Sequence, residues 1–355
     1  MTDFDASFRS TPPTGSGVGN REQLLDLTTV LSPRQAPVYG LLPKQAATAD
    51  LVEWTVDDLR TPNASNAVTE GLDVGQTVGD PATGTGDAFV GQFDNLTRLN
   101  NRLQHFRDTF RVSKKQEIMD SVTPVRIQEA EEKATSQVLR DIEASICSDN
   151  GAVTGSGTVG GKLRGLGVWL DPTLEAGSGA QSTDSVQEVP DAFKTKAGAV
   201  LADGALELTE ARFNGMLTSI FEETGEQQDM ILVAGTQVRN SIIDGFTRVQ
   251  AGTGNGSGNT TVFNQGDGTD VSYNVEIFQG PYGVVKIISA NPKCLPDQKR
   301  AYLLDPSLLG WAEGLSMGST MLEDQGGGPR GYIDAMGTLC VKGCNGLGKI
   351  TDFAV

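Results

Sequence analysis

One run of residues invites a phosphate. Gly155, Gly157 and Gly160 in the string GSGTVGGK satisfy a GxGxxG pattern, in which glycines let backbone N–H groups approach a pyrophosphate. That fingerprint needs a strand before the turn, and a helical pattern precedes it here. Read as a P-loop, the run has Ser156 where the first glycine belongs and Leu163 where a hydroxyl would hold magnesium. A glycine-rich connector is the reading the flanks support. Nucleophilic catalysis fares no better. The chain has 1 histidine, His105, so any Ser–His or Cys–His pair must use it. His105 sits beside Phe106 in an alternating, strand-like run, and no G-x-S-x-G elbow exists. The four cysteines, Cys147, Cys294, Cys340 and Cys344, have neither metal-site nor disulfide spacing. On a strand, Cys340 and Cys344 would stand about 13 Å apart. The pairs Glu131/Glu132 and Glu222/Glu223 lie on helical patterns at adjacent positions, where side chains diverge, so they read as solvated faces. The pair Asp57/Asp58 reads the same way on a strand. No catalytic residue, metal ligand or cofactor site is expected.

The elements are more informative than the motifs. Residues 51–59 alternate, with Val52, Trp54 and Val56 on one face and Glu53, Thr55 and Asp57 on the other. Residues 105–113 alternate again, and the intervening 60–102 are rich in turn formers. The clearest helix spans roughly Pro124–Ser148, with Ile127, Ala130, Ala134, Val138, Ile142 and Ile146 at three- and four-residue steps. Ile127, Val138, Ile142 and Ile146 are its predicted core contacts. Residues 162–170 form a short apolar element, and 171–207 read as a long irregular connection. A second helix covers 209–224, with Thr209 as N-cap, Phe213, Leu217, Ile220 and Phe221 as stripe, and Gly225 as stop. Met230–Ala234 reads as a buried strand. Residues 236–246 read as a third helix, with Val238, Ile242, Ile243 and Phe246 apolar. Alternation on both sides of Gln279–Tyr282 predicts a hairpin over Val271–Phe278 and Val284–Ser289. Further strands are expected near Ala301–Leu304, Tyr332–Ala335 and Thr338–Lys342. The class is α+β.

The two alternating runs suggest a pairing. An antiparallel register with Glu53 opposite Arg111 and Asp57 opposite Arg107 also sets Trp54 opposite Phe110 and Val52 opposite Val112. One face then carries opposite charges and the other apolar pairs. More than 40 residues between the stems is too long for a compact turn. The segment is therefore expected to project and reach a neighbouring subunit.

Composition narrows the class. The net charge is −17 and the pI about 4.5, with no basic stripe, so tight nucleic-acid binding is not expected. No stretch reaches the roughly 18 apolar residues of a membrane span. The N-terminus lacks the basic and apolar regions of a secretory signal, and the cysteine usage suits a reducing cytosol. Glycine is abundant, with 44 residues, and it clusters in 151–161 and 251–268, where exposed loops are expected.

The order of several strings resembles a known family. They are Ala36-Pro37-Val38-Tyr39-Gly40-Leu41-Leu42, Val52-Glu53-Trp54-Thr55-Val56-Asp57 and Asn66-Ala67-Val68-Thr69-Glu70-Gly71. There follow Phe106–Ser113, then Arg140-Asp141-Ile142-Glu143-Ala144, Gly165-Leu166-Gly167-Val168-Trp169-Leu170, Leu208-Thr209-Glu210 and Gly225 to Leu232. Together they resemble the major head proteins of tailed phages with the Hong Kong 97-like fold, over roughly residues 36–355. The resemblance implies an N-terminal arm (1–36) and an extended loop with its stem strands (37–113). It also implies a peripheral domain with a spine helix (114–207), an axial domain (208–300), and C-terminal strands returning to the peripheral domain (301–355). It implies self-assembly through pentamers and hexamers into an icosahedral shell around double-stranded DNA held non-specifically. Scaffold, portal or decoration proteins would be partners. Assembly would occur in the host cytoplasm and the product would be the virion. Alternatives are an encapsulin-like compartment, a tail-tube or fibre protein, and a hydrolase using Asp or Glu.

Overall fold

The computed structural model describes residues 36–57, 96–118, 126–172, 189–190, 192–227, 229–246 and 277–354, with isolated residues between 59 and 67. The expectations for the arm at 1–35, for most of the loop at 60–95 and for the glycine-rich stretch 251–268 lie outside the described residues.

Six helices occur among them: α1 (Pro37–Leu41), α2 (Lys114–Ile118), α3 (Arg126–Ile146), α4 (Leu166–Trp169), α5 (Glu210–Thr224) and α6 (Thr236–Phe246). In α3 the three-and-four spacing of apolar residues makes one stripe, and Val138, Ile142 and Ile146 on it are buried. Ile127, nearer its start, is half-buried against the same core. Local chemistry ends α5. The Thr209 side chain accepts a hydrogen bond from Arg212 N, and Gly225 takes the left-handed conformation at φ 69°. A side chain with a Cβ would be strained there. The α1 helix was not anticipated; five residues of PVYGL carry no periodicity to read.

Twelve strands occur among the described residues: β1 (Lys44–Ala46), β2 (Leu51–Val56), β3 (Thr97–Arg102), β4 (Gln104–Arg111), β5 (Val200–Leu201) and β6 (Met230–Ala234), then β7 (Ile277–Gly280), β8 (Gly283–Ser289), β9 (Ala301–Leu304), β10 (Leu309–Leu322), β11 (Arg330–Val341) and β12 (Gly348–Ile350). They make a four-stranded sheet in the order β1-β10-β11-β4, a six-stranded sheet in the order β5-β12-β9-β6-β8-β7, and the two-stranded ribbon β2-β3. The two strands expected at Tyr332–Ala335 and Thr338–Lys342 are one, β11. Its long partner β10 was not anticipated, because its register shifts between Glu313 and Gly318 break the two-residue period. The hairpin of β7 and β8 turns at Pro281 and Tyr282, with Gly280 opposite Gly283.

Two cores result. One lies beneath α3, between Phe106, Phe110, Ile333 and Ala335 of the four-stranded sheet and Trp169 of α4. The other packs Phe213, Met216 and Ile220 of α5 on the six-stranded sheet. The strands β6 and β9 serve both. Val233, Tyr302 and Leu304 face the first core, while Leu232, Ala234 and Leu303 face the second. Burial on both faces explains why MILVA and AYLL are apolar without alternation. The C-terminal stretch 301–355 is accordingly divided: β10 and β11 join the four-stranded sheet, while β9 and β12 join the six-stranded one. The strand β4 likewise belongs to the sheet under α3 and not to the loop stem.

Candidate functional site

The predicted stem pairing is corrected by the strand register. The strand β2 pairs with β3, not with 105–113: Glu53 lies opposite Asn100, Trp54 opposite Leu99 and Val56 opposite Thr97. The strand β4 pairs with β11, placing Arg107 opposite Asp334, Phe110 opposite Gly331 and Arg111 opposite Arg330. Alternation decides which face a residue occupies and says nothing about the partner strand. The true partner, TRLNNR, was hidden because it is mostly polar. Residues 57–96 thus leave and re-enter through one ribbon, β2-β3, whose open end is Val56 and Thr97.

The ribbon is fastened at its root. Trp54 Nε1 donates to the Val341 carbonyl at 3.0 Å, and its ring lies 5.9 Å from that of Trp169. Asn101 is 0% exposed and uses its whole amide. Its Nδ2 donates to Leu339 O at 2.7 Å and Arg164 O at 3.3 Å. Its Oδ1 accepts from Arg164 N at 2.8 Å and Arg102 N at 2.9 Å. One side chain therefore ties the ribbon, the strand β11 and the segment before α4 together. The Arg164 guanidinium stacks over Trp169 at 4.5 Å, and burial lowers its pKa to about 10. The approach of this segment to the end of α3 needs glycine, since a Cβ at Gly165 would strike the Ser148 carbonyl. Exposed ion pairs flank the ribbon: Glu53 with Arg98 at 3.9 Å and Asp50 with Arg102 at 3.2 Å.

A buried carboxylate ties α1 to α3. Glu143 on α3 accepts from Val38 N at 2.9 Å and Tyr39 N at 2.8 Å, capping the otherwise unpaired donors of α1. Burial raises its pKa, and those two N–H groups oppose the rise. Sequence reading placed Glu143 in a helical string but had no α1 for it to cap.

The exposed sheet face carries the remaining charged candidates. His105 and Arg107 both approach Asp334, at 3.5 and 3.6 Å, and Arg107 lies over the Tyr332 ring at 4.9 Å. A shallow groove of about 430 Å³ runs beside them, lined by Arg107, Asp141, Ser145 and Asn150. Burial, then Asp108, raises the Asp141 pKa, and Arg140 opposes them. Among the described residues, no group of three or more His, Cys, Asp or Glu is arranged to hold a metal. The GSGTVGGK run closes on itself: Val153 pairs with Lys162, and Ser156 Oγ accepts from Val159 N at 3.2 Å. The N–H groups of Ser156, Thr158, Val159 and Lys162 are spent on partners within this loop or beside it. Cys147, Cys294, Cys340 and Cys344 are all buried and free.

A ribbon fastened at one end, beside a sheet packed under one long helix, suits a segment that reaches outward. The family model of the SU10 major capsid protein matches residues 5–354. The chain belongs to that family. It is a major capsid protein of the tailed-phage type, and its place is the virion capsid. Its fold is similar to the capsid subunit of cyanophage A-1(L), with a TM-score of 0.61 at 14% identity over 95% of this chain and 98% of that one. It is also similar to the capsid of cyanophage P-SCSP1u, with a TM-score of 0.58 at 8% identity over 100% and 99%. The capsid of a native GTA particle gives 0.56 at 13% identity over 96% and 98%. At such identities the likeness is one of fold, and it makes this capsid protein Hong Kong 97-like. No curated protein matches its sequence. No helix among the described residues is long and apolar enough to cross a membrane.

Proposed function

We propose that this capsid protein builds a closed icosahedral shell of pentamers and hexamers around double-stranded DNA, and that residues 57–96 of each copy lie across a neighbouring copy. The observation that carries the reading is the ribbon β2-β3, pinned to the core by Trp54 and Asn101 and open only at Val56 and Thr97. A root fixed this firmly holds the direction of whatever leaves it. The four-stranded sheet with α3 is the peripheral domain, and the six-stranded sheet with α5 and α6 is the axial domain. Residues 1–36 are the arm. The DNA is a non-specific neighbour, because a chain with net charge −17 repels phosphate over most of its surface. Scaffold, portal and decoration proteins are its other partners. The role is structural and not catalytic; the single histidine is engaged with Asp334.

The test is to replace residues 60–94 with a short Gly-Ser linker and compare purified proteins by negative-stain microscopy. The full chain should form closed particles. The shortened chain should fold and stay as free subunits or capsomers. Closed shells from the shortened chain would overturn the reading.

A further inference from the structure

The free end of the β10–β11 hairpin holds an arrangement that a lone subunit does not explain. Arg111 on β4 lies directly opposite Arg330 on β11, on the sheet face turned away from α3. Like charges in directly opposed positions repel. Arg111 reaches only the Gly327 carbonyl, at 3.3 Å, and Arg330 the Glu323 carbonyl, at 3.3 Å. Neither has a carboxylate partner among the described residues. Two nearby acids are already engaged: Asp334 holds Arg107 and His105, and Asp324 holds Lys114 at 2.9 Å and the N–H groups of Gly326 and Gly328. Leu322, opposite Arg330, is 46% exposed, and Tyr332 lies two residues along the same face. The face therefore presents a spare pair of cations beside an apolar and an aromatic side chain, in a protein whose net charge is −17.

The complementary segment is in the same chain. Residues 57–96 hold seven acidic residues and one basic residue, Arg60, a net of −6 (1 − 7) out of the chain's −17. Within them stands Asp87-Ala88-Phe89-Val90-Gly91-Gln92-Phe93-Asp94. In an extended conformation Asp87, Phe89 and Phe93 share a face, with about 6.6 Å between the first two. Arg330 and Tyr332 share that spacing and that phase on β11.

We propose that residues 87–94 of a second copy dock on this face, with Asp87 between Arg111 and Arg330 and Phe89 against Tyr332 and Leu322. This rests on the reading that residues 57–96 cross to a neighbour, and it names where they land. The docking is charge-driven at its centre, so it weakens with salt, and the aromatic contact adds the part that salt does not screen.

The experiment measures the threshold concentration for shell formation by light scattering on the full chain. Arg111→Glu/Arg330→Glu should raise that threshold about tenfold or more, because it sets like charges against Asp87. Adding Asp87→Arg should bring it back to within about threefold of the parent. Arg111→Gln/Arg330→Gln should raise it less and should flatten its dependence on salt. Circular dichroism and melting of the unassembled subunits show whether each variant is folded. An unchanged threshold in the folded double reversal overturns the docking site. A raised threshold that Asp87→Arg does not relieve overturns the occupant and points to another anion, packaged nucleic acid included. The chain lacking 60–94 separates the two levels: if it fails to close while the arginine variants close normally, only the landing site is lost. If it closes, the reading beneath is lost too.

Discussion

The root of the β2-β3 ribbon and the far end of the β10–β11 hairpin are built on opposite rules. At the root, polar groups are buried and paired. Asn101 meets four backbone partners and Trp54 meets Val341 O, and elsewhere in the same core Glu143 on α3 meets two N–H groups of α1. At the hairpin end the whole of 314–322 contains no charged residue and no proline, and Leu315, Met321 and Leu322 are exposed. Sheet edges in proteins that stay alone carry charges or proline against stray pairing. The root therefore fixes the direction of the ribbon, and the hairpin end keeps apolar side chains uncovered in the single subunit. Substitutions at the root should cost subunit stability. Substitutions at the hairpin end should leave the subunit intact and alter assembly.

The largest effect tests the core on which the root stands. Ile142→Asp, on the buried stripe of α3, should destabilise the unassembled subunit by about 3 kcal/mol or more, through an unpaired buried charge. Denaturant unfolding measures it, and parental yield and assembly would remove α3 from the core. Next is Asn101→Ala, which orphans the Leu339 and Arg164 carbonyls and two N–H groups. A loss of about 2–3 kcal/mol is expected, and less than about 0.5 would put the root elsewhere.

Smaller again is Trp54→Phe, which keeps an aromatic ring but removes the pyrrole half with its hydrogen bond to Val341 O, for about 1–2 kcal/mol. Glu143, which holds α1 to α3, gives the buried polar groups a pH signature. Its pKa is raised by burial above the usual 4.5, so the native state holds the proton more tightly than the unfolded chain. Its contribution to stability is then full below about 4.5 and falls as pH rises through the raised value. Glu143→Gln should flatten that slope in unfolding curves taken above pH 4.5. A slope identical in both proteins would assign it to other groups. The smallest effect is Met321→Ser at the hairpin end, expected within about 0.5 kcal/mol of the parent in subunit unfolding. A large loss there would erase the contrast between the two regions.

Some of this was written locally. The spine helix, α5 with its Thr209 cap and its Gly225 stop, the strand β6 and the helix α6 depend on periodicity and end chemistry within a few residues, so sequence alone located them. The order of strings that resembles phage head proteins was legible too, and the family match bears it out. The partner strands were not. The run LVEWTV could be read as a strand, yet its charges and aromatics fit residues 105–113 on paper better than they fit TRLNNR. Only the fold shows why TRLNNR is the partner. Asn101 is accommodated in the interior because Arg164 and Leu339 bring backbone groups to it from elements 63 and 238 residues away. A buried asparagine has no local signature, since its environment is assembled from distant chain. The same holds for Glu143 and for the opposed Arg111 and Arg330: what each does is decided by what the tertiary structure sets across from it.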